Sequence, residues 1–475
     1  MRSQTAKADM RAWLCCCLVT FAGAAVAQDE TPLDILFIAV DDLNDWVGVL
    51  AGHPQARTPH IDRLAARGMT FTNAHSPSPL CNPARTALLT GLRPATSGVY
   101  DNGPDWRELD VFAGLPTLPR YFRDHRYRTF GAGKVFHGHT FAPEGFAGLN
   151  DPLAWDAFYP SLQRQLPEEI TPARRPANGN PFGNAFDWSA VYAEDTAMAD
   201  GQVTTWVTRQ IRAETGSPRF IAAGIYRPHL PWYLPQKYFD MHPLEQVQLP
   251  EIIADDLDDV PAVAAADAFQ SRQWHDWIVG EGRWREEVQA YLASVSFADE
   301  MVGWLIDALD ESGRADRTII VLWGDHGFHL GEKQRWRKST LWEESTHVPL
   351  IVVAPGVTTP GGRISRPVSL MDLYPTLAEL AGLAVPKHVE GQSLVPLMEN
   401  PSVAWDRPAV ITYGFQNHAV RSEQYRYIRY SDGSEELYDH ESDPHEWTNL
   451  ASSPAYVDTK SELARWLPER NAAAL

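Results

Sequence analysis

Cys81 stands in the stretch Ser78-Pro79-Leu80-Cys81-Asn82-Pro83-Ala84-Arg85, and Thr86-Ala87-Leu88-Leu89-Thr90-Gly91 comes directly after it. Pro83 lacks an N–H and fixes φ, which suits the entry to a helix. In such a helix Arg85 lies one turn beyond Cys81 on the same side. A thiol beside a guanidinium ionises readily and becomes a nucleophile. The same pattern also suits a small buried residue at a helix start, so the rest of the chain has to decide between a reactive and an inert Cys81.

Other groups fit for acid–base or metal chemistry recur at the ends of apolar runs. Residues 34–40 lead into Asp41-Asp42, and residues 318–323 lead into Gly324-Asp325-His326-Gly327. Residues 220–226 lead into Arg227-Pro228-His229, and a shorter run leads into Gly133-Lys134-Val135-Phe136-His137. Hard carboxylate oxygens gathered at one edge suit Ca2+ or Mg2+. Arg85, Lys134, His137, His229 and Lys338 offer the opposite charge. A metal ringed by cations fits a tetrahedral oxyanion held during group transfer. Taken singly, adjacent acids are common as caps, lysines as solvated groups and histidines as core residues. Their recurrence at strand ends is what points to one site.

That recurrence needs a fold. Continuous apolar runs such as DILFIAV read as strands buried on both faces. Thr58–Gly68 reads as a helix with Ile61, Leu64 and Ala65 inward and Gly68 as its stop. Gln289–Glu311 reads as a long helix whose stripe is Val302, Leu305, Ile306 and Leu309. Pro349–Val353 is a further strand. The alternation predicts an α/β fold, a large, mixed, mostly parallel sheet sandwiched by helices, with ligands beyond the carboxyl ends of its strands. From Ala404 on, short alternating runs at 409–413, 419–421, 425–430 and 436–438 predict a smaller C-terminal α+β domain on an antiparallel sheet, closed by a helix near 457–466. Residues 28–403 are therefore read as the catalytic domain and 404–475 as the C-terminal subdomain. The stretches 160–190 and 240–285 are rich in Pro, Asn, Gly, Trp and acids with weak periodicity, and read as surface excursions that shape a cleft.

Residues 1–27 read as a secretory leader: Arg2, Lys7 and Arg11 precede an apolar Trp13–Ala25, and Ala25-Val26-Ala27 is a cleavage signal. The protein is expected to be exported, to the periplasm or the outside, with no membrane association after the leader is removed. Cys15, Cys16 and Cys17 leave with the leader, so Cys81 remains alone and no intramolecular disulfide can form. A lone thiol in an oxidising compartment is either buried and inert or no longer a thiol in the finished protein. The net charge is −20, and removal of three basic residues and Asp9 with the leader brings it to about −22. Such a chain has no general attraction for nucleic acid or anionic membrane, and must catch an anionic substrate in a local cationic pocket. Seventeen Trp and sixteen Tyr are many. Sugar clefts use such rings as platforms, but core packing is the commoner use.

The chain resembles the type I sulfatases of the alkaline-phosphatase superfamily, and within them the iduronate-2-sulfatase branch. The shared pieces run in order over nearly all of the mature chain: Val40-Asp41-Asp42-Leu43, Cys81-x-Pro83-x-Arg85, Leu89-Thr90-Gly91, Gly133 to His137, Pro228-His229, Asp325-His326-Gly327 with Leu330-Gly331-Glu332, Thr346 to Leu350, and Leu437-Tyr438-Asp439 with Asp443-Pro444 and Asn449-Leu450. The resemblance implies that a formylglycine-generating enzyme converts Cys81 to formylglycine, whose hydrated aldehyde attacks sulfur and later eliminates sulfate. It implies one divalent cation, Ca2+, held by Asp41, Asp42, Asp325, His326 and the modified Cys81. Arg85 and Lys134 would hold the diol, His137 would be the base for elimination, and His229 and Lys338 would bind sulfate, with His229 protonating the leaving alcohol. Many type I sulfatases have Asn at the position of His326, whereas the iduronate branch has His. Phe328 stands where that branch favours Trp. The implied substrate is a sulfate monoester on a carbohydrate, an oligosaccharide or polysaccharide that can contain uronate. Two other readings remain open from the residues: a phosphomonoesterase or phosphodiesterase of the same superfamily, and an inactive glycan-binding homologue in which Cys81 stays a thiol.

Overall fold

The fold is taken from a computed structural model that describes Met1 and residues 32–138, 148–266 and 271–474. The leader expected over 1–27 lies outside the described residues apart from Met1. Among the described residues no helix is long and apolar enough to cross a membrane.

Asp34–Val40 (β1) is buried at every position, as its unbroken apolar run requires. Its side chains alternate between two cores. Leu36, Ile38 and Val40 join one cluster, and Ile35, Phe37 and Ala39 join the other. Seven more strands complete the sheet: Met69–Phe71 (β2), Arg128–Gly133 (β3), Ala157–Tyr159 (β4), Arg219–Ile225 (β5), Thr318–Gly324 (β6), Leu350–Val353 (β7) and Gly362–Ile364 (β8). Their order is β8-β2-β7-β6-β1-β5-β3-β4. β1 pairs in parallel with β5 and β6, β3 is parallel to both β4 and β5, and β8 is parallel to β2. β7 alone runs antiparallel to its two neighbours. The sheet is thus mixed and mostly parallel, and the adjacent parallel strands β6, β1, β5 and β3 deliver their carboxyl ends to one edge.

Helices cover both faces. Ala199–Arg212 and Trp284–Glu311 put Val203, Val207, Val295, Val302 and Ile306 into the first core. The long helix starts five residues earlier than its stripe suggests, because Val288, Tyr291 and Leu292 extend the buried face toward Trp284. Cys81–Thr90 contributes Leu88 and Leu89 to the second core. Toward the C-terminus, Ala409–Thr412, His418–Arg421, Tyr425–Arg429 and Glu435–Asp439 form a four-stranded antiparallel sheet, with a helix at Val457–Ala464 behind it. All of Leu33–Leu475 forms one compact unit.

The stretches read as surface excursions are corrected in part. Trp188–Val191 pairs with Trp232–Pro235, and Ser271–Gly280 is helical. Phe186, Trp188, Trp274 and Ile278 are buried in the first core. Their aromatic anchors are irregularly spaced, so no periodicity announces them. They are held by polar centres such as Asp187, which accepts from Ala177 N, Asn178 N and the Tyr233 hydroxyl. The abundant tryptophans serve mainly as core: Trp46, Trp155, Trp232, Trp323 and Trp342 are all buried.

Candidate active site

Cys81 opens the helix Cys81–Thr90. Leu80 before it is extended (φ −147°, ψ 142°) and offers no side-chain cap. The Asn82 N–H donates instead to Asn102 Oδ1 (2.9 Å), Pro83 has no N–H and the Ala84 N–H bonds the Leu80 carbonyl (3.0 Å), so the positive end of the helix dipole lies beside the thiol. Asn82 ties the first turn down by donating to the carbonyls of Asp101 (3.2 Å) and Pro104 (2.8 Å). At the other end Thr90 donates to the Thr86 carbonyl at 2.7 Å. Gly91 takes φ 79°, the left-handed cap that glycine adopts at least cost. The Thr-Gly pair is thus the helix stop.

The carboxylates come from adjacent strand ends. Asp41 and Asp42 come directly after β1, and Asp325 after β6, its neighbour in the sheet. Asp42 has φ 60°, unusual for a side-chain-bearing residue. The turn is pinned by the Asp42 N–H on Asp325 Oδ1 (3.0 Å) and by the Tyr291 hydroxyl, which donates to the Asp42 carbonyl (2.9 Å) and accepts from the Asn44 N–H (3.1 Å). Ser76 Oγ binds the Asp325 carbonyl at 2.6 Å.

The cations close in from other elements. Lys134 lies just past β3, and its ammonium pairs with Asp41 and lies 3.6 Å from Cys81 Sγ. Lys338 pairs with Asp42 and lies 3.4 Å from the same sulfur. His326 Nε2 lies 3.2 Å from Sγ, 3.5 Å from Asp42 Oδ1 and 3.6 Å from Asp325 Oδ2. His137 hydrogen-bonds the Cys81 side chain. His229 turns Nδ1 to the Leu230 carbonyl, which leaves Nε2 facing Asp42 Oδ2 at 4.0 Å. Arg85 lies beneath the carboxylates. It donates through Nε to Asp325 (2.8 Å), through Nη2 to Asp41 (3.2 Å), and through Nη1 to the carbonyls of Lys134 and Val135. Four of its five N–H groups are thus committed to positioning the acids and the Lys134 backbone.

All of these groups are buried, so their charges act strongly on each other. Burial pushes the Cys81 thiol up, but Lys134, Lys338 and His326 outweigh it and hold it well below its ordinary value. Burial and the neighbouring Asp325 raise Asp41. Burial also pushes Asp42 up, but His229, Lys338 and His326 bring it below the usual carboxylate range. Burial pushes His229 down to about 4, against the pull of Asp42.

The donor set fits a hard divalent cation. Asp41, Cys81, Asp325 and His326 present ligand atoms within 4.8 Å of one another, and so do Asp41, Asp42, Cys81 and His229. Asp42 Oδ2 is buried with no hydrogen-bond partner. Repulsion between Asp41 and Asp325 is what a bound dication would relieve.

Every residue singled out from the sequence meets at this point. Its supports are what the sequence does not disclose. Tyr291, on the long helix, braces the Asp42 turn. Asp200 accepts from the N–H groups of Tyr226 (2.7 Å) and Arg227 (2.9 Å), fixing the loop that carries His229. Gly224 lets Lys134 approach, since a Cβ there would lie 2.2 Å from the Lys134 carbonyl carbon. Gly224 sits inside a strand, where the lack of a side chain is itself the signal.

The sulfatase family profile matches residues 34–383, and a profile described as the C-terminal region of N-sulphoglucosamine sulphohydrolase matches 331–473. The chain is 40% identical over 452 residues to a sulfatase of Formosa agariphila, covering 94% of this chain and 88% of that one. It is 33% identical over 402 residues to the iduronate 2-sulfatase of Homo sapiens, covering 74% and 70%. In fold it is similar to a protein solved in complex with its substrate D-glucosamine-2-N,6-O-disulfate, with a TM-score of 0.73 at 21% identity, covering 92% of this chain and 96% of that one.

Proposed function

We propose, for a chain that belongs to the sulfatase family and is a sulfuric ester hydrolase, that it releases sulfate from sulfate monoesters of carbohydrates after export to the periplasm or beyond. Cys81 is the precursor of formylglycine, made by a formylglycine-generating enzyme, and Asp41, Asp42, Asp325 and His326 hold one Ca2+ beside it. The observation that carries this reading is the meeting of Lys134, His137, His326 and Lys338 on one buried cysteine where three carboxylates converge.

Formylglycine, once formed from Cys81, would supply a hydrated aldehyde as the nucleophile, and a dication held by Asp41, Asp42, Asp325 and His326 would neutralise the acids and polarise a bound ester. The chain's own groups do the rest. Lys134 and Lys338, each already within 3.6 Å of the Cys81 sulfur, hold negative charge on either side of it. His137, bonded to the Cys81 side chain, is placed to take its proton. Arg85 keeps Asp41 and Asp325 in register. His229 Nε2 faces the site, and an anionic ester arriving beside it favours its charged form, which can protonate the departing alcohol.

The leaving group of this reading is a sugar alcohol. The carbohydrate-directed names of the similar proteins, iduronate and glucosamine disulfate, support the same class.

Sulfate release should vanish in Cys81→Ala and fall steeply on chelation, and turnover retained in Cys81→Ala would sink the reading. Aryl phosphate turned over as well as aryl sulfate would move it to a phosphoesterase. The tryptic peptide Gly68–Arg85 from the native host should be lighter than its thiol form and react with hydrazide; an unmodified thiol would favour a glycan-binding protein.

A further inference from the structure

We propose a second anion site, one helix length from Cys81, that grips the sulfated chain of a polymeric substrate outside the catalytic centre. The inference rests on the carbohydrate reading above and goes beyond it. The helix that starts at Cys81 ends at Thr90, roughly 15 Å away along its axis at 1.5 Å per residue. The chain then turns through Gly91 to Arg93 and the short helix Pro94–Ser97. The C-terminal tail folds back over that helix: Ala472 N–H donates to the Ala95 carbonyl, and the Tyr100 hydroxyl donates to the Ala472 carbonyl, both at 2.8 Å. Between them opens a cavity of about 700 Å³ whose lining includes Arg93, Arg407, Arg470, Thr96 and Trp466.

The arginines are anomalous for this chain. Acids outnumber bases 61 to 41, so a guanidinium without a paired carboxylate is unexpected. Yet Arg407 makes no ion pair among the described residues. It donates only to neutral oxygens, the Gln392 side chain at 3.4 Å and the Glu390 carbonyl at 3.0 Å. Arg470 is exposed and has no hydrogen bond or ion pair among the described residues. Arg93 makes a long ion pair with Glu390 (3.9 Å), a carboxylate that also accepts from the Arg93 N–H (2.6 Å) and Thr96 Oγ1 (2.7 Å). Burial and the nearby charge of Arg407 push Arg93 down, and Glu390 and Asp372 offset this only in part. Asp406, Glu469 and Arg470 are all exposed on the cavity rim, which is mixed in charge, whereas Arg93 and Arg407 are half-buried and share one buried carboxylate neighbour, Asp372, so the deeper part keeps an excess of guanidinium.

Like charges pressed together and only partly compensated are unfavourable until an anion bridges them. Guanidiniums match the planar, multi-oxygen edge of a sulfate or carboxylate through paired N–H donors. Trp466 adds the apolar half. It is 41% exposed on the cavity wall, a flat indole free to stack on a sugar ring. Anion-binding forks beside an exposed aromatic platform favour a sulfated saccharide over a simple anion or an acidic peptide.

The test uses the full chain with Cys81→Ala, so that binding is read without turnover. The probes are dextran sulfate, unsulfated dextran of matched length and polyglutamate. Trp466→Ala, Arg407→Gln and Arg470→Gln should each weaken dextran sulfate binding by about tenfold, the scale of one lost charge-assisted or stacking contact. Added salt should weaken it further. In enzyme that keeps Cys81, the same three variants should hydrolyse a small aryl sulfate as before and show a raised KM only on sulfated polymer. Unchanged dextran sulfate binding in the folded triple variant would overturn the proposal. Polyglutamate binding as tightly, with the same sensitivity to Trp466→Ala, would overturn the saccharide assignment. Failure of aryl sulfate turnover in the unaltered enzyme would count against the catalytic reading, which the binding measurement does not depend on.

Discussion

Tyr291→Phe is the substitution that best separates the site from its support. The ring is retained, so its stacking on Phe328 (5.2 Å) and its edge contacts with Trp46 (5.5 Å) and Trp232 (5.6 Å) survive. Only the hydroxyl goes, and with it the partners of the Asn44 N–H and the Asp42 carbonyl, both in buried residues. An orphaned buried polar group costs about 1–3 kcal/mol, so the pair should cost roughly 2–6 kcal/mol of unfolding free energy. The strained Asp42 backbone, at φ 60°, then loses one of its two fixings and keeps only the N–H bond to Asp325. A left-handed residue costs roughly 1–2 kcal/mol, which favours relaxation of the turn and moves the Asp42 carboxylate away from Lys338. Activity should fall by about tenfold or more, since about 1.36 kcal/mol of misplacement is tenfold in rate. Urea unfolding followed by tryptophan fluorescence gives the first quantity, and aryl sulfate turnover the second. Coincident unfolding curves with unchanged kcat would show that the tyrosine does not brace the turn.

The same geometry sets four further outcomes. Gly224→Ala places a Cβ 2.2 Å from the Lys134 carbonyl carbon, and should abolish turnover or folding; a soluble variant of normal activity would refute the close-approach argument. Asp200→Asn keeps one acceptor for two N–H donors, and should cost about 1–3 kcal/mol and lower kcat through His229, read by unfolding and steady-state kinetics together. Burial pushes His242 and His418 down from 6.5 to about 4. Between those values the unfolded chain binds protons that the folded chain does not, so stability should fall as pH drops through that window, by up to about 1.4 kcal/mol per pH unit for each ring. Urea midpoints across the window should show it, and His418→Gln should flatten the slope. Chelation should lower the thermal midpoint as well as activity, because the grouped carboxylates then repel unscreened, and added Ca2+ should restore both.

Much of the site is legible in the sequence because its residues are chemically conspicuous and sit next to legible strands. DILFIAV reads as a buried strand, and in a parallel sheet the residues just past a strand's carboxyl end lie at the ligand edge. That rule alone places Asp41, Asp42, Asp325, His326 and His229. Cys81 stands out by its isolation and by Pro83 and Arg85. The segment around Trp274 reads as surface although it is buried, because a few irregularly spaced aromatics bury it, and neither a helical nor a strand period records that.

The sequence by itself determined the alternation of strands and helices, the ends at which chemistry collects, and the residue types available there, because these depend on local patterns of two or four residues. Tertiary structure alone decided which distant groups share a proton or a charge. Arg85 proved to be committed to two carboxylates and two carbonyls 44 or more positions away. Tyr291 braces Asp42 from 249 positions away. Arg470 shares a cavity with Arg93 because the tail folds back across Pro94–Ser97, and Arg407 joins them through its bond to the Glu390 carbonyl. No local pattern encodes such pairings, since they arise from where whole elements pack, and packing is a property of the summed buried surface rather than of any one stretch.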